Sequence, residues 1–432
     1  MRIRELAMAL RSGELTPAEH VADVLDRLVA DTTNAVVALD TERATAQAAA
    51  RTAELARGEW RGPLHGVAVG IKDLIDVAGI PTRAGSRILD DAEPARADAP
   101  VVTALRRAGA VVVAKLHTHE FAYGPTGDVS AGGPARNPHD PTRITGGSSS
   151  GSAAAVAAGH LPLAIGTDTG CSVRTPAALC GIVGLKPAFG RLPTEGVFPL
   201  AESCDHVGLL TADVHGASVA YDALVREGGG AGIQAPGVAG VRIGVPADGY
   251  WAPLDRAIAD GVAAAVERLA RHGAELVEVR TAMVEELAAT YPLIVGSEAL
   301  ATHASWLAER PEDYQPATRR RLERRADLPA REYVVAQRAR RRLVAAMRAA
   351  LDGVDAMVLP TTRLRATPIG EEVVDGVTVA SALLDLTLPF NLSGWPAVSV
   401  PAEVGGLPAG VQVVGVGLEE RGVLRVAAAL GA

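Results

Sequence analysis

The sequence predicts an α/β fold: a mixed or mostly parallel sheet covered by helices on both faces. Two observations predict it. Short apolar runs alternate with longer stretches of helical pattern along most of the 432 residues, as strands alternate with the helices that cover them. Hydrophobic residues make up 48% of the chain, which is ample for a large core.

Taken in order, Thr16-Pro17-Ala18-Glu19 forms a capping box with proline at the first helical position, so a helix should begin there. A second helix is predicted over 41–57. Apolar runs at 67–71, 110–114, 161–165 and 182–185 read as strands, with helical stretches over 100–108 and 151–159 between them. The segment REGGGAGIQAPGVAG, 226–240, has the composition of a surface linker. A strand follows at 241–245. Asp255 then caps a helix that places Ile258, Val262, Val266 and Leu269 on one face. Residues 275–279 read as a strand and 284–351 as largely helical. That helical region carries the arginine runs Arg319–Arg325 and Arg338–Arg342, read as a solvated face with Glu309, Glu312 and Glu323 nearby rather than a nucleic-acid patch. Strands return at 356–359, 397–400 and 411–415. One domain over 1–432 is expected.

Net charge is −8, which argues against a nucleic-acid or anionic-membrane surface. The three cysteines, Cys171, Cys180 and Cys204, have no metal-ligand spacing and fit a reducing compartment, so a cytoplasmic protein is expected. No run of apolar residues is long enough to span a membrane, because His160 and Pro162 interrupt the best candidate.

The stretch from Gly146 to Ala177 carries most of the information. Two serine loops, Gly146–Ser152 and Gly166–Ser172, flank a small-residue helix and a short apolar strand, and Ser148 and Ser172 lie 24 positions apart. Upstream, GVAVGIKDLIDVAG at 66–79 centres on Lys72. The 42 lysines and arginines include only three lysines, Lys72, Lys115 and Lys186. Arginine cannot give up its proton in a protein, whereas a desolvated lysine can.

These residues resemble the amidase signature family. The Gly/Ser block, the GTDTG-x-S-V-R-x-P-A block and the G-I-K-D block all match. So do RNP at 136–138, CGIVGLKP at 180–187, NLSGWPAVSVP at 391–401 and GLPAGVQVVG at 406–415. The resemblance is dense over 60–215 and thinner over 225–350. It implies an α/β/α sandwich around a large mixed sheet, and hydrolysis of a small carboxylic amide without cofactor or metal. It further implies Ser172 as nucleophile, Ser148 as a bridging serine after a cis peptide bond, and Lys72 as neutral general base. The backbone N–H groups of Thr169, Gly170, Cys171 and Ser172 would form the oxyanion hole, with Ser149, Asp168 and Arg174 in support. A homodimer is the assembly considered, with no nucleic-acid or membrane partner.

Taken singly, each feature has a plainer reading. A Gly/Ser loop before a helix is usually a linker with an N-cap, Lys72 a surface lysine and Asp168 a cap. Gly147-Ser148-Ser149-Ser150-Gly151 fits the G-x-S-x-G elbow, but the preceding NPHDPTRIT, 137–145, reads as turn-like rather than a strand. No serine sits in an S-x-x-K pattern. His117 and His119 in HTHE read as ordinary loop histidines rather than metal ligands. Ser150 and Cys171 replace glycines usual in the family, so both should enlarge side chains beside the reacting centre. The alternatives are the A subunit of a tRNA-dependent amidotransferase, which the run HTHEFAYG (117–124) disfavours, and a carbamate, allophanate or ester hydrolase. A binding protein without catalysis would be expected to lack one of the three positions, and all are present.

Overall fold

The computed structural model of the chain describes residues 2–225, 232 and 237–431, so most of the expected linker at 226–240 lies outside the described residues. Strands are β1 (Val36–Leu39), β2 (Ala68–Lys72), β3 (Val111–Leu116), β4 (Arg136–Asn137), β5 (Asp140–Ile144), β6 (Leu163–Thr167), β7 (Val183–Lys186) and β8 (Val207–Thr211). They continue with β9 (Arg242–Pro246), β10 (Glu275–Val279), β11 (Ala356–Pro360), β12 (Val373–Val374), β13 (Val377–Thr378), β14 (Ala397–Pro401) and β15 (Gly410–Gly415). Eleven of them form one mixed sheet, in the order β1-β3-β2-β6-β8-β7-β14-β15-β11-β9-β10. The expected α/β architecture with a large mixed sheet is therefore present.

The two covered faces can be read residue by residue. On β2, Val69 and Ile71 join one apolar cluster while Ala68 joins another. On β6, Leu163 and Ile165 face one way and Ala164 the other. Successive strand side chains point to opposite faces, so a strand feeding two clusters is buried on both. The helix Ser150–Ala157 packs its alanines against one face, and the helices Pro100–Arg107 and Val214–Val225 cover the other.

The capping box at Thr16 forms, with the Thr16 side chain accepting from the Glu19 N–H. One local reading is corrected. The stretch 137–145, expected to be turn-like, contributes the antiparallel pair β4–β5. That ribbon is separate from the main sheet, so no main-sheet strand runs directly into Gly146.

Candidate active site

Strands β2 and β6 run parallel with Ile71 opposite Ile165, so both chains leave the sheet side by side at Lys72 and Thr167. The carboxyl ends of parallel strands are where open α/β sheets place their ligands. Lys72 Nζ donates to Ser148 Oγ at 2.7 Å and to Thr167 Oγ1 at 2.8 Å. Both Lys72 and Ser148 are fully buried. Loss of water around the ammonium pulls the Lys72 pKa down to about 7, against the opposing pull of Asp168, Cys171 and Asp205.

Lys72 is not special in being buried. Lys115 lies inside against Asp73 at 3.1 Å, and Lys186 donates to the Trp395 carbonyl at 2.7 Å. The scarcity of lysine thus marks three interior ammonium groups, of which only Lys72 meets the serine loops.

The first loop carries a cis peptide bond at Gly147–Ser148. Its shape is fixed by backbone and hydroxyl contacts. Ser149 Oγ donates to the Thr167 carbonyl at 3.1 Å and accepts from the Thr167 N–H at 3.2 Å, and the Ser149 N–H donates to the Ser172 carbonyl at 3.2 Å. The His119 N–H holds the Ser148 carbonyl at 3.0 Å. Gly166 is needed here, because a Cβ on it would sit 2.6 Å from Ser149 Oγ.

The structure places four further residues that the sequence singled out beside these loops. The Ser150 hydroxyl is buried beside the first loop, 3.4 Å from the Ser148 carbonyl and 2.7 Å from His117 Nδ1, while His117 Nε2 donates to the Gly133 carbonyl at 2.8 Å. The thiol of Cys171 faces the Gly147 carbonyl at 3.6 Å, and burial pushes its pKa up to about 12. His117 and His119 are buried loop residues that hold the first loop in place. Among the described residues no cluster of His, Cys, Asp and Glu is arranged to hold a metal ion.

The second loop is pinned by an ion pair sealed from solvent. Arg174 Nη2 meets Asp168 Oδ1 at 2.8 Å and Arg174 Nε meets Asp168 Oδ2 at 3.0 Å. The same guanidinium donates to Gln412 Oε1 at 2.7 Å, Asn391 Oδ1 at 2.6 Å and the Thr387 carbonyl at 2.9 Å. Burial alone would raise the Asp168 pKa, but the Arg174 charge and hydrogen bonds override it and hold the carboxyl well below its usual range. Asp168 Oδ2 also accepts from the Val173 and Arg174 N–H groups, which closes the turn after Ser172. Between these anchors, the N–H groups of Thr169, Gly170, Cys171 and Ser172 donate to no protein acceptor among the described residues. Gly170 must lack a side chain, since a Cβ there would run into the Tyr291 hydroxyl.

The structure therefore gathers Lys72, Ser148, Ser149, Asp168, Thr169, Gly170, Cys171, Ser172 and Arg174 around the ends of β2 and β6. Ser172 is 5% exposed where Lys72 and Ser148 are sealed. Among the described residues no hydrogen bond joins Ser148 Oγ to Ser172 Oγ; the loops meet through Ser149 and through the Cys171 thiol at the Gly147 carbonyl. Four participants were not singled out in the sequence: Thr167, Asn391, Gln412 and Asp205. Asn391 and Gln412 lie within the C-terminal blocks, which gave a signal but no role. The arginine runs are solvated only in part. Arg319 pairs with Glu323 at 2.6 Å, whereas Arg321 turns inward to the Tyr123 carbonyl and Arg340 to the carbonyls of Ser203 and Leu392.

A family model described as Amidase matches residues 19–424. The chain is 38% identical over 435 residues to AtzE, the named subunit of a 1-carboxybiuret hydrolase from Pseudomonas sp. (strain ADP), covering 96% of this chain and 94% of that protein. It is 36% identical over 457 residues to a glutamyl-tRNA(Gln) amidotransferase subunit from Chloroflexus aurantiacus, covering 97% and 93%. A crystal structure of an amidase superposes with a TM-score of 0.92 at 39% identity, covering all of this chain and 99% of the other.

Proposed function

The chain belongs to the amidase family and is a hydrolase of carbon–nitrogen bonds; on that premise we propose that Ser172 is its nucleophile, relayed through Ser148 to Lys72. Ser172 Oγ attacks the amide carbonyl, and its proton passes through Ser148 Oγ to neutral Lys72 Nζ. The tetrahedral oxyanion lies against the unpaired N–H groups of 169–172, and such donors are each worth about 3 kcal/mol. As the C–N bond breaks, the relay returns the proton to the leaving nitrogen. Water then attacks the acyl-serine by the same route and releases the acid. The observation that carries this reading is the 2.7 Å contact from Lys72 to Ser148, at a lysine whose burial leaves much of it neutral near pH 7.

Catalysis on a small molecule in the cytoplasm is the reading the composition supports, with three free buried cysteines that fit a reducing compartment. Substrate class follows from similarity: carboxylated ureas and amides stand first, given the 38% identity to a carboxybiuret hydrolase subunit. Both relatives are named as subunits, which favours one second reading, a chain that works with a protein partner. The deciding experiment is turnover of the purified chain alone on aliphatic and aryl amides, carboxylated ureas, carbamates and glutamine. Hydrolysis by the chain alone, lost in Ser172→Ala, supports the first reading. Silence on every substrate until a partner is added supports the second.

A further inference from the structure

We propose that Asp205 is a positioning residue for the oxyanion donors, acting through Thr169; this rests on the reading that the 169–172 N–H groups hold the oxyanion. Sheet register sets the two residues side by side. Strands β6 and β8 are antiparallel, with Leu163 opposite Thr211 and Thr167 opposite Val207. Backbone pairing continues past both strand ends: the Asp168 N–H donates to the His206 carbonyl at 2.8 Å and the His206 N–H to the Asp168 carbonyl at 3.1 Å. The next residues in that register are Thr169 and Asp205. Beside a pair that exchanges both backbone bonds, the following pair exchanges none, and its side chains come closer together. Here a side-chain bond takes over. Thr169 Oγ1 donates to Asp205 Oδ1 at 2.6 Å, and the Thr169 N–H donates to no protein acceptor among the described residues.

The other side of the carboxylate holds the turn that leads into β8. Asp205 Oδ2 accepts from the Leu200 N–H at 3.0 Å and the Ala201 N–H at 3.1 Å. Among the described residues no cation lies within ion-pair distance of it, although the residue is buried. Three donors, the Thr169 hydroxyl and two backbone N–H groups, converge on this one carboxyl group. An asparagine could serve Thr169 with its oxygen, but its amide hydrogens would then face two N–H groups.

The peptide after Thr169 has little freedom of its own. Arg174 Nη2 holds the Gly170 carbonyl at 3.2 Å, and Tyr291 and Leu384 crowd Gly170. With that end fixed, the Thr169 tether sets how the 169–171 backbone is turned, and so where its N–H groups aim. An oxyanion site tolerates little error, because a misplacement of about 1 Å can cost roughly a hundredfold in rate.

Thr169→Val, Thr169→Ser and Asp205→Asn test this by steady-state kinetics on the best amide substrate, with active sites titrated by a fluorophosphonate. Thr169→Val should lower kcat about tenfold to a hundredfold with KM within about threefold, since the donors act in the transition state. Thr169→Ser should restore kcat to within about threefold of the parent. Combining Thr169→Val with Asp205→Asn should be no worse than the poorer single variant, as members of one unit are not additive. If Asp205→Asn fails to fold, the two threonine variants decide alone. Parent-like kcat in Thr169→Val, or a Thr169→Ser variant as poor as Thr169→Val, overturns the proposal. Ser172→Ala separates the two failures: if it is inactive while Thr169→Val is fully active, only the role of Asp205 falls, and if it turns over, the nucleophile assignment falls.

Discussion

Lys72 Nζ donates to Ser148 Oγ at 2.7 Å in a place that water does not reach, with Thr167 Oγ1 as its second acceptor at 2.8 Å. A lysine donating to two hydroxyl oxygens, with no carboxylate at ion-pair distance among the described residues, gains little from its charge. Its neutral form is therefore accessible near pH 7.

The first expected outcome concerns pH. Only neutral Lys72 can accept a proton, so kcat/KM should be full above the Lys72 pKa of about 7 and fall tenfold per pH unit below it. Lys72→Arg should be inactive at every pH, because a guanidinium stays protonated. An active Lys72→Arg enzyme, or a profile flat from pH 5 to 8, would show that the lysine only holds a charge in place.

Stability supplies an independent check with a defined sign. The folded pKa of Lys72 is depressed, so below about 7 both states are protonated and the burial penalty is complete. Between about 7 and 10.5 the unfolded chain holds a proton that the folded chain does not, so this group's penalty fades as pH rises. Lys72→Met should therefore melt above the parent at pH 6, with the gap closing toward pH 10. A gap that is absent at pH 6 or widens with pH would contradict the burial argument.

What the sequence made legible was local. Most strands were placed within a residue or two from their apolar runs, although the fully buried β8 was not read, and both serine loops and Lys72 were found in contiguous blocks. The helix Val214–Val225 went unread because it is buried nearly all round and shows no stripe. The site's remaining partners are long-range: Thr167 lies 95 positions from Lys72 and Asp205 lies 36 from Thr169. No local period encodes such meetings, which come from sheet register. The inward arginines, Arg321 and Arg340, share their runs with solvated ones, and composition cannot separate them.

The Asp168–Arg174 pair is expected to dominate the integrity of the second loop. Asp168→Asn would leave a sealed guanidinium without its counter-charge, a loss of about 3–5 kcal/mol in unfolding free energy. Arg174→Lys should be nearly as damaging, since an ammonium cannot reach Asp168, Asn391 and Gln412 together. Urea denaturation measures both, and a loss under about 1 kcal/mol in either would mean the loop is held by other contacts.

Cys171 should prove dispensable as a nucleophile. Its thiol is buried, faces the Gly147 carbonyl and resists ionisation with a pKa pushed up to about 12. Cys171→Ala should keep kcat/KM within about tenfold, roughly 1.4 kcal/mol of barrier. A Cys171→Ala enzyme as dead as Ser172→Ala would assign the thiol a part in the reaction.

The most direct test of the central claim is the site of covalent trapping. Enzyme labelled with a fluorophosphonate, or quenched during turnover of an activated amide, is digested and mapped by tandem mass spectrometry. The adduct is expected on Ser172 at one equivalent per chain, absent in Ser172→Ala and strongly slowed in Ser148→Ala and Lys72→Ala. An adduct on Cys171 or Ser148, or full labelling speed without Lys72, would contradict the account.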